Sequence, residues 1–238
     1  MSSQPGMDEF SSMTLYSFNA GPYPARVSIV IEELNLGDRI NYIFVDLLKG
    51  EHKTPAFKAM NYSGTLPVLR LQDDTCISEC VVITQLLDGL RGGGQLTGKT
   101  LKEQAVIHMT TRRIEHEILN PANTYFHIAT PGLGPAIEKY QNKEHGQHEL
   151  ERALLGICHF NDILADREYI AADFFSMADI CFIAALMVFQ IWEQDASEGY
   201  PHVIAWHKRM LERPSVQTAY QLFTDARSKR RATQSYGK

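Results

Sequence analysis

Three consecutive glycines interrupt this chain at Arg91-Gly92-Gly93-Gly94-Gln95, and such a run opposes both helix and strand. Before it, short strand-like and helix-like segments alternate. From about Leu101 onward, apolar residues recur three and four positions apart through long segments, as in a helical bundle. The sequence therefore predicts two domains, at residues 13–93 and 99–228, flanked by a disordered lead at 1–12 and a polar tail at 229–238.

The first domain has the order of elements of a thioredoxin-like fold. The pattern predicts strands at 13–18, 40–46, 66–71 and 75–77, helices at 24–34 and 79–90, and a short helix after the loop at 49–54. This βαβαββα order, followed by an all-helical domain, predicts an α/β plus all-α chain.

Composition excludes several classes of function. The net charge of −5 gives no global attraction for nucleic acid or anionic membranes, and no apolar run reaches the ~18 residues that span a bilayer. The four cysteines are too few for a disulfide framework, and their spacing completes no zinc site. We therefore expect no metal, no cofactor, no nucleic-acid or membrane partner, and a reducing cytoplasmic location.

The segment Asn61-Tyr62-Ser63-Gly64-Thr65-Leu66-Pro67 places a glycine turn ahead of a proline at the start of a predicted strand. A cis Leu66–Pro67 bond would turn the Leu66 N–H and C=O outward, where they could pair with an extended peptide ligand. The alternative is a trans proline at an ordinary strand start.

Ser78-Glu79-Cys80 directly precedes an apolar helix. Backbone N–H groups and the positive helix end could bind a ligand carboxylate there, and Glu79 could then take the ligand's ammonium group. The alternative is a plain helix cap.

These motifs together resemble the cytosolic glutathione transferase superfamily. The Gly-x-x-Pro-Val-Leu segment, the acidic-capped helix and the loop 49–53 are similar to its glutathione-binding half. Residues 169–180 resemble its helical folding motif, in which Ser176 and Asp179 form a capping box. The resemblance is closer still to the yeast-type glutathione transferase II subgroup, on the segments 21–27, 61–65, 96–100 and 125–135.

The resemblance implies an enzyme that conjugates reduced glutathione, as co-substrate, to small hydrophobic electrophiles in detoxification. It implies that the helical domain carries the electrophile pocket and that the protein is a homodimer. The implied glutathione site consists of His52, Lys53, Thr65, Leu66, Pro67, Glu79 and Cys80. His52 and Lys53 would meet the glycine carboxylate of glutathione, although each alone could equally be a solvated loop residue.

Activation of the glutathione thiol is the open point of this sequence. Tyr16 and Ser17 lie on the first predicted strand, where such residues are more often core than catalyst. Gly21 stands where reductase-like relatives carry a cysteine, which disfavours a dithiol mechanism. Tyr23, beside the start of the first helix, is a weaker catalytic candidate.

The subgroup resemblance implies a different solution. The N-terminus of the first helix would stabilise the thiolate, and a water would act as base. The residues that match the subgroup's water ligands are Asn123 and His127, which share a helix face because they are four residues apart. Asn123 replaces the subgroup's serine, and His127 taken alone could be an ordinary hydrogen-bonded histidine.

Two alternative functions remain from the sequence. A glutathione-dependent peroxidase or thiol reductase would use the same thiolate, and a non-catalytic glutathione-binding scaffold would use the same fold. The intact set of His52, Pro67 and Glu79 favours a ligand-binding protein over a pure scaffold.

Overall fold

The computed structural model describes residues 10–18, 21–135 and 137–235. The chain forms two compact units: the described residues up to Leu87 together with those from Thr218 onward, and Asp88–Gln217. These units differ from the boundaries predicted at residues 93, 99 and 228. Asp88 belongs to the second unit because its carboxylate accepts hydrogen bonds from the segment that follows it. Thr218 belongs to the first unit, where its hydroxyl donates to Glu32 Oε1 at 3.0 Å.

The described part of the first unit follows the predicted order βαβαββα. Its elements are β1 (Met13–Ser17), α1 (Pro22–Glu33), β2 (Ile40–Phe44), α2 (Pro55–Met60), β3 (Val68–Arg70), β4 (Cys76–Ser78) and α3 (Cys80–Leu90). The strands form one sheet in the order β2-β1-β3-β4, with β1 parallel to β2 and β3 antiparallel to both of its neighbours. The thioredoxin-like prediction is confirmed.

The segment after α3 is held by one buried carboxylate. Asp88 Oδ2 accepts the N–H groups of Gly94, Leu96 and Thr97 at 3.0, 3.3 and 3.0 Å, together with the Thr97 hydroxyl. Asp88 Oδ1 accepts the Gln95 N–H at 3.1 Å. The predicted glycine linker is therefore an ordered turn, in which Gly92, Gly93 and Gly94 all have positive φ.

The second unit is helical, as predicted. Its helices are α4 (Leu101–Ile114), α5 (Asn120–Ala129), α6 (Lys143–Ile163), α7 (Met177–Gln190) and α8 (Pro201–Met210), and α9 (Pro214–Ser235) begins in this unit. The predicted capping box is confirmed, because Asp179 Oδ2 accepts the Ser176 N–H at 2.9 Å and the Ser176 hydroxyl accepts from the first turn of α7.

A π-helical segment, Glu115–Leu119, joins α4 to α5 in one continuous helix. Pro121 has no N–H, so the α-helical hydrogen bond to the Glu117 carbonyl is missing. One residue earlier, the Asn120 N–H donates to the carbonyl of Glu115, five residues back, as in a π-helix. Helix α6 passes close to this segment at Gly156, where a Cβ would lie 2.5 Å from Ile118 Cγ1 and 3.1 Å from the Glu117 carbonyl oxygen.

Both predicted end segments are partly ordered. Ser11 and Ser12 accept hydrogen bonds from Gln72 and Asn41, at 2.9 and 3.0 Å, while residues 1–9 of the predicted lead lie outside the described residues. Helix α9 runs through 229–235 of the predicted tail, and 236–238 lie outside the described residues. Within the described chain, we find no helix with the length and hydropathy of a membrane span.

Candidate functional site

Most of the predicted glutathione residues meet at one edge of the sheet. Val68 pairs with Tyr16 on one side and with Ser78 on the other. Pro67, just before β3, therefore lies opposite Glu79, just after β4. The chain leaves β1 toward α1 and leaves β2 toward His52 at this same edge, because β1 and β2 are parallel.

The turn before β3 is held by its own polar side chains. Asn61 is 5% exposed, and its Nδ2 donates to both the carbonyl and the hydroxyl of Thr65 at 2.9 and 3.0 Å. Ser63 donates to Asn61 Oδ1 at 2.9 Å. The predicted cis Leu66–Pro67 bond is confirmed, and Leu66 precedes the paired residues of β3.

His52 is one of three buried residues in the predicted site, together with Pro67 and Cys80. Its residue is 5% exposed, and its Nδ1 has no hydrogen-bond partner among the described residues. Burial lowers the pKa of His52 below its ordinary value of 6.5, and the charge of Lys53 adds to this, so the ring is neutral near pH 7. A Cβ on Gly64, which has φ of 63°, would lie 2.8 Å from the His52 carbonyl oxygen, so this approach requires glycine.

Glu79 directly precedes α3 and has a left-handed backbone. Its φ is 74°, a conformation that costs a non-glycine residue about 1 to 3 kcal/mol and that clusters at functional sites. The Glu79 side chain is exposed, while its carbonyl accepts the Ile83 N–H at 3.0 Å. Cys80 is buried, and its thiol donates to the Tyr23 carbonyl at 3.3 Å, which joins the start of α3 to the first turn of α1.

The start of α1 offers few backbone donors. Pro22 and Pro24 have no N–H, and the Ala25 N–H bonds the Gly21 carbonyl at 3.2 Å. Tyr23 is half-buried in this first turn. Tyr16, by contrast, packs edge-on against Phe57 with ring centroids 6.4 Å apart.

Asn123 and His127 lie on α5, four residues apart and both half-buried. The His127 Nδ1 is hydrogen-bonded to Glu138 Oε1, from the loop between α5 and α6. Sequence reasoning missed Glu138, because nothing in its spacing, eleven residues beyond His127 and past a proline-glycine turn, links the two side chains. The described residues hold no cluster of three or more potential metal ligands.

Aromatic rings surround this part of α5. Trp192 contacts Tyr125 and Phe189, with ring centroids 5.1 and 5.2 Å apart, and stacks on Phe126 at 6.3 Å. The Phe126 ring also meets the His127 ring edge-on at 5.0 Å. Within the second unit, His127 therefore adjoins an aromatic cluster in which Phe126 and Phe189 are buried and Tyr125 and Trp192 are partly exposed.

Comparison with known proteins agrees with this fold. Residues 20–90 match the family model "Glutathione S-transferase, N-terminal domain", and residues 122–214 match "Glutathione S-transferase, C-terminal domain". The chain is 50% identical to glutathione S-transferase 2 of Saccharomyces cerevisiae over 205 residues, which cover 86% of this chain and 88% of the relative.

Solved structures give the same result. The crystal structure of Gtt2 from Saccharomyces cerevisiae matches with a TM-score of 0.84 and 49% identity, over 87% of this chain and 99% of that one. A glutathione S-transferase domain-containing protein from Marinobacter aquaeolei matches with a TM-score of 0.82 and 39% identity, over 85% and 99%. This chain belongs to the glutathione S-transferase family and is an enzyme of that family.

Proposed function

We propose that this enzyme conjugates the thiolate of reduced glutathione to small hydrophobic electrophiles. The observation that carries the proposal is Glu79, an exposed carboxylate held at φ 74° opposite Pro67 at the edge of the sheet. In the reaction, the thiol S–H bond breaks, its proton passes to a bound water, and a sulfur–carbon bond forms as the electrophile's leaving group departs.

The first unit supplies the glutathione site. Glu79 pairs with the ligand's ammonium, and Cys80 lies beside the γ-glutamyl group at the start of α3. Thr65 closes the turn that presents Leu66, whose backbone pairs with the cysteinyl unit across Pro67. Lys53 provides a cation for the glycine carboxylate. The neutral, buried ring of His52, with an unpartnered Nδ1 among the described residues, supplies a hydrogen bond to the same group.

Thiolate formation is assigned to the start of α1 and to a water. Because Pro22 and Pro24 have no N–H, Tyr23 and its neighbours at the start of α1 offer few backbone donors to stabilise the thiolate. A base is therefore needed, and we assign it to a water held by Asn123 and His127. Tyr125 and Trp192, the partly exposed rings of the aromatic cluster that also holds the buried Phe126 and Phe189, favour flat, apolar electrophiles. The proposal includes a cytoplasmic homodimer that acts in detoxification, consistent with four cysteines in the thiol form.

Glutathione binding is tested by calorimetry on Glu79→Gln, which keeps the shape and removes the charge. Leaving the ligand's ammonium unpaired costs about 2 to 5 kcal/mol, so the glutathione Kd should rise at least about thirtyfold. Asp74→Asn is the matched control, because Asp74 is also acidic with positive φ (65°) but lies in the β3–β4 turn. Equal affinities in Glu79→Gln and wild type would remove Glu79 from the site.

The chemical step is tested with aryl halides, peroxides and mixed disulfides as second substrates. His127→Ala should lower kcat with an aryl halide by about 10²-fold and leave the glutathione Kd unchanged. Tyr16→Phe should be nearly silent. A loss confined to Tyr16→Phe would refute the water mechanism, and turnover of peroxides or disulfides alone would refute conjugation.

A further inference from the structure

The loop between α5 and α6 folds back onto the last turn of α5. Gln141 Nε2 donates to the His127 carbonyl at 3.0 Å, and the Asn142 N–H donates to the Ile128 carbonyl at 2.8 Å. These carbonyls belong to a helix end, where intrahelical partners are lacking. The loop therefore fixes the backbone around His127, independently of what the imidazole ring does.

Glu138 is held within this loop with little freedom. Its N–H bonds the Gly134 carbonyl at 2.8 Å. Its Cγ packs over Gly132, which has φ of 54° and where a Cβ would approach to 2.7 Å. Its side chain is 10% exposed, whereas the His127 side chain is 33% exposed. Glu138 is therefore the more buried partner of the pair, and the His127 side chain is partly open to solvent.

We propose that Glu138 is a positioning residue that fixes the tautomer of His127. An ionised carboxylate only accepts hydrogen bonds, so Nδ1 must carry the ring proton and donate it to Glu138 Oε1. The neutral ring then keeps its lone pair on Nε2, where it accepts a hydrogen bond from the catalytic water. This inference rests on the proposed function, since it assigns a role within the same base.

The proton balance is simple. The glutathione thiol gives its proton to the water oxygen, and the water gives one of its protons to Nε2. The imidazolium that forms is stabilised by the negative charge of Glu138, and Nε2 later releases its proton to solvent. Without Glu138, the ring could carry its proton on Nε2 and present a donor to the water.

The first test is the ¹⁵N NMR spectrum of the histidine side chains, with the His127 signals assigned by their absence in His127→Ala. In the wild type with a neutral ring, we expect a protonated Nδ1 and an unprotonated Nε2. In Glu138→Gln, whose amide both donates and accepts, the two nitrogens should move toward a common average. A wild-type ring protonated on Nε2 would overturn the inference.

The second test is kinetic. Glu138→Gln should lower kcat about tenfold to hundredfold without changing the glutathione Kd, and by no more than His127→Ala does. The double variant should be no slower than His127→Ala alone, because residues that act as a unit are not additive. Glu144→Gln removes a nearby exposed carboxylate and should behave as wild type. Multiplied losses in the double variant would show that Glu138 acts elsewhere.

The two proposals can fail separately. A fully active His127→Ala would refute the water base, while the NMR spectra would still decide the tautomer that Glu138 sets. An averaged ring in the wild type, together with a slow His127→Ala, would refute only the role of Glu138.

Discussion

Replacing Asp88 by asparagine should destabilise the protein far more than a one-atom change suggests. Asp88 is fully buried, and its carboxylate accepts five hydrogen bonds from residues 94–97. In Asp88→Asn the remaining oxygen can serve the four donors at Oδ2. The new NH₂ group then faces the Gln95 N–H, so two donors oppose each other.

The loss follows from these contacts. The opposed donor pair leaves the new, buried NH₂ group unsatisfied, which costs about 1 to 3 kcal/mol, and the other four bonds change from charge-assisted to neutral. We therefore expect Asp88→Asn to lower the free energy of unfolding by about 3 kcal/mol, and Asp88→Ala, which leaves every donor unserved, by more.

Urea denaturation measures this change through the linear dependence of the free energy on denaturant. Asp166→Asn, at an exposed position, is the control and should stay within about 0.5 kcal/mol of wild type. A loss below about 1 kcal/mol in Asp88→Asn would show that water replaces the carboxylate, and would refute the assignment of Asp88 as the anchor of this segment.

Two further predictions concern stability. Gly156→Ala should lower the free energy of unfolding by about 1 to 3 kcal/mol in the same urea assay, because the new Cβ would press on the π-helical segment. Gly89→Ala, in an open part of α3, is the control and should raise the free energy of unfolding by about 0.5 to 1 kcal/mol. Equal effects of the two substitutions would contradict the close approach at Gly156. Burial lowers the pKa of His52 and of His207, with Lys53 adding to the first shift and Asp195 opposing the second. As the pH falls, these rings therefore take up protons at a higher pH in the unfolded chain than in the folded chain. The stability of the fold should decrease as the pH drops below 6.5 and through the folded pKa values. In thermal melts, His207→Gln should make the melting temperature depend less steeply on pH over this range.

Patterns local in sequence determined the elements and some of their caps. Alternation and periodicity of apolar residues predicted β1 to α3 in order. The resemblance of residues 169–180 to a known folding motif predicted the capping box of Ser176 and Asp179 at the start of α7, and a capping box is closed by neighbours along the chain. The motif around Pro67 and Glu79 indicated residues of one site. It did so through the resemblance to a known family and not through any contact that the sequence shows.

Only the tertiary structure decided which distant groups meet. The sequence around His52 is typical of a polar loop, yet the fold buries His52 against Gly64 and lowers its pKa. Desolvation of this kind depends on neighbours that are remote along the chain. The glycine run reads as a free linker, yet Asp88 orders the segment that follows it. Glu138 meets His127 only because the loop after α5 turns back on the helix end, where unsatisfied carbonyls bind it. Hydrogen bonds of this kind have no period, and a linear pattern therefore could not predict them.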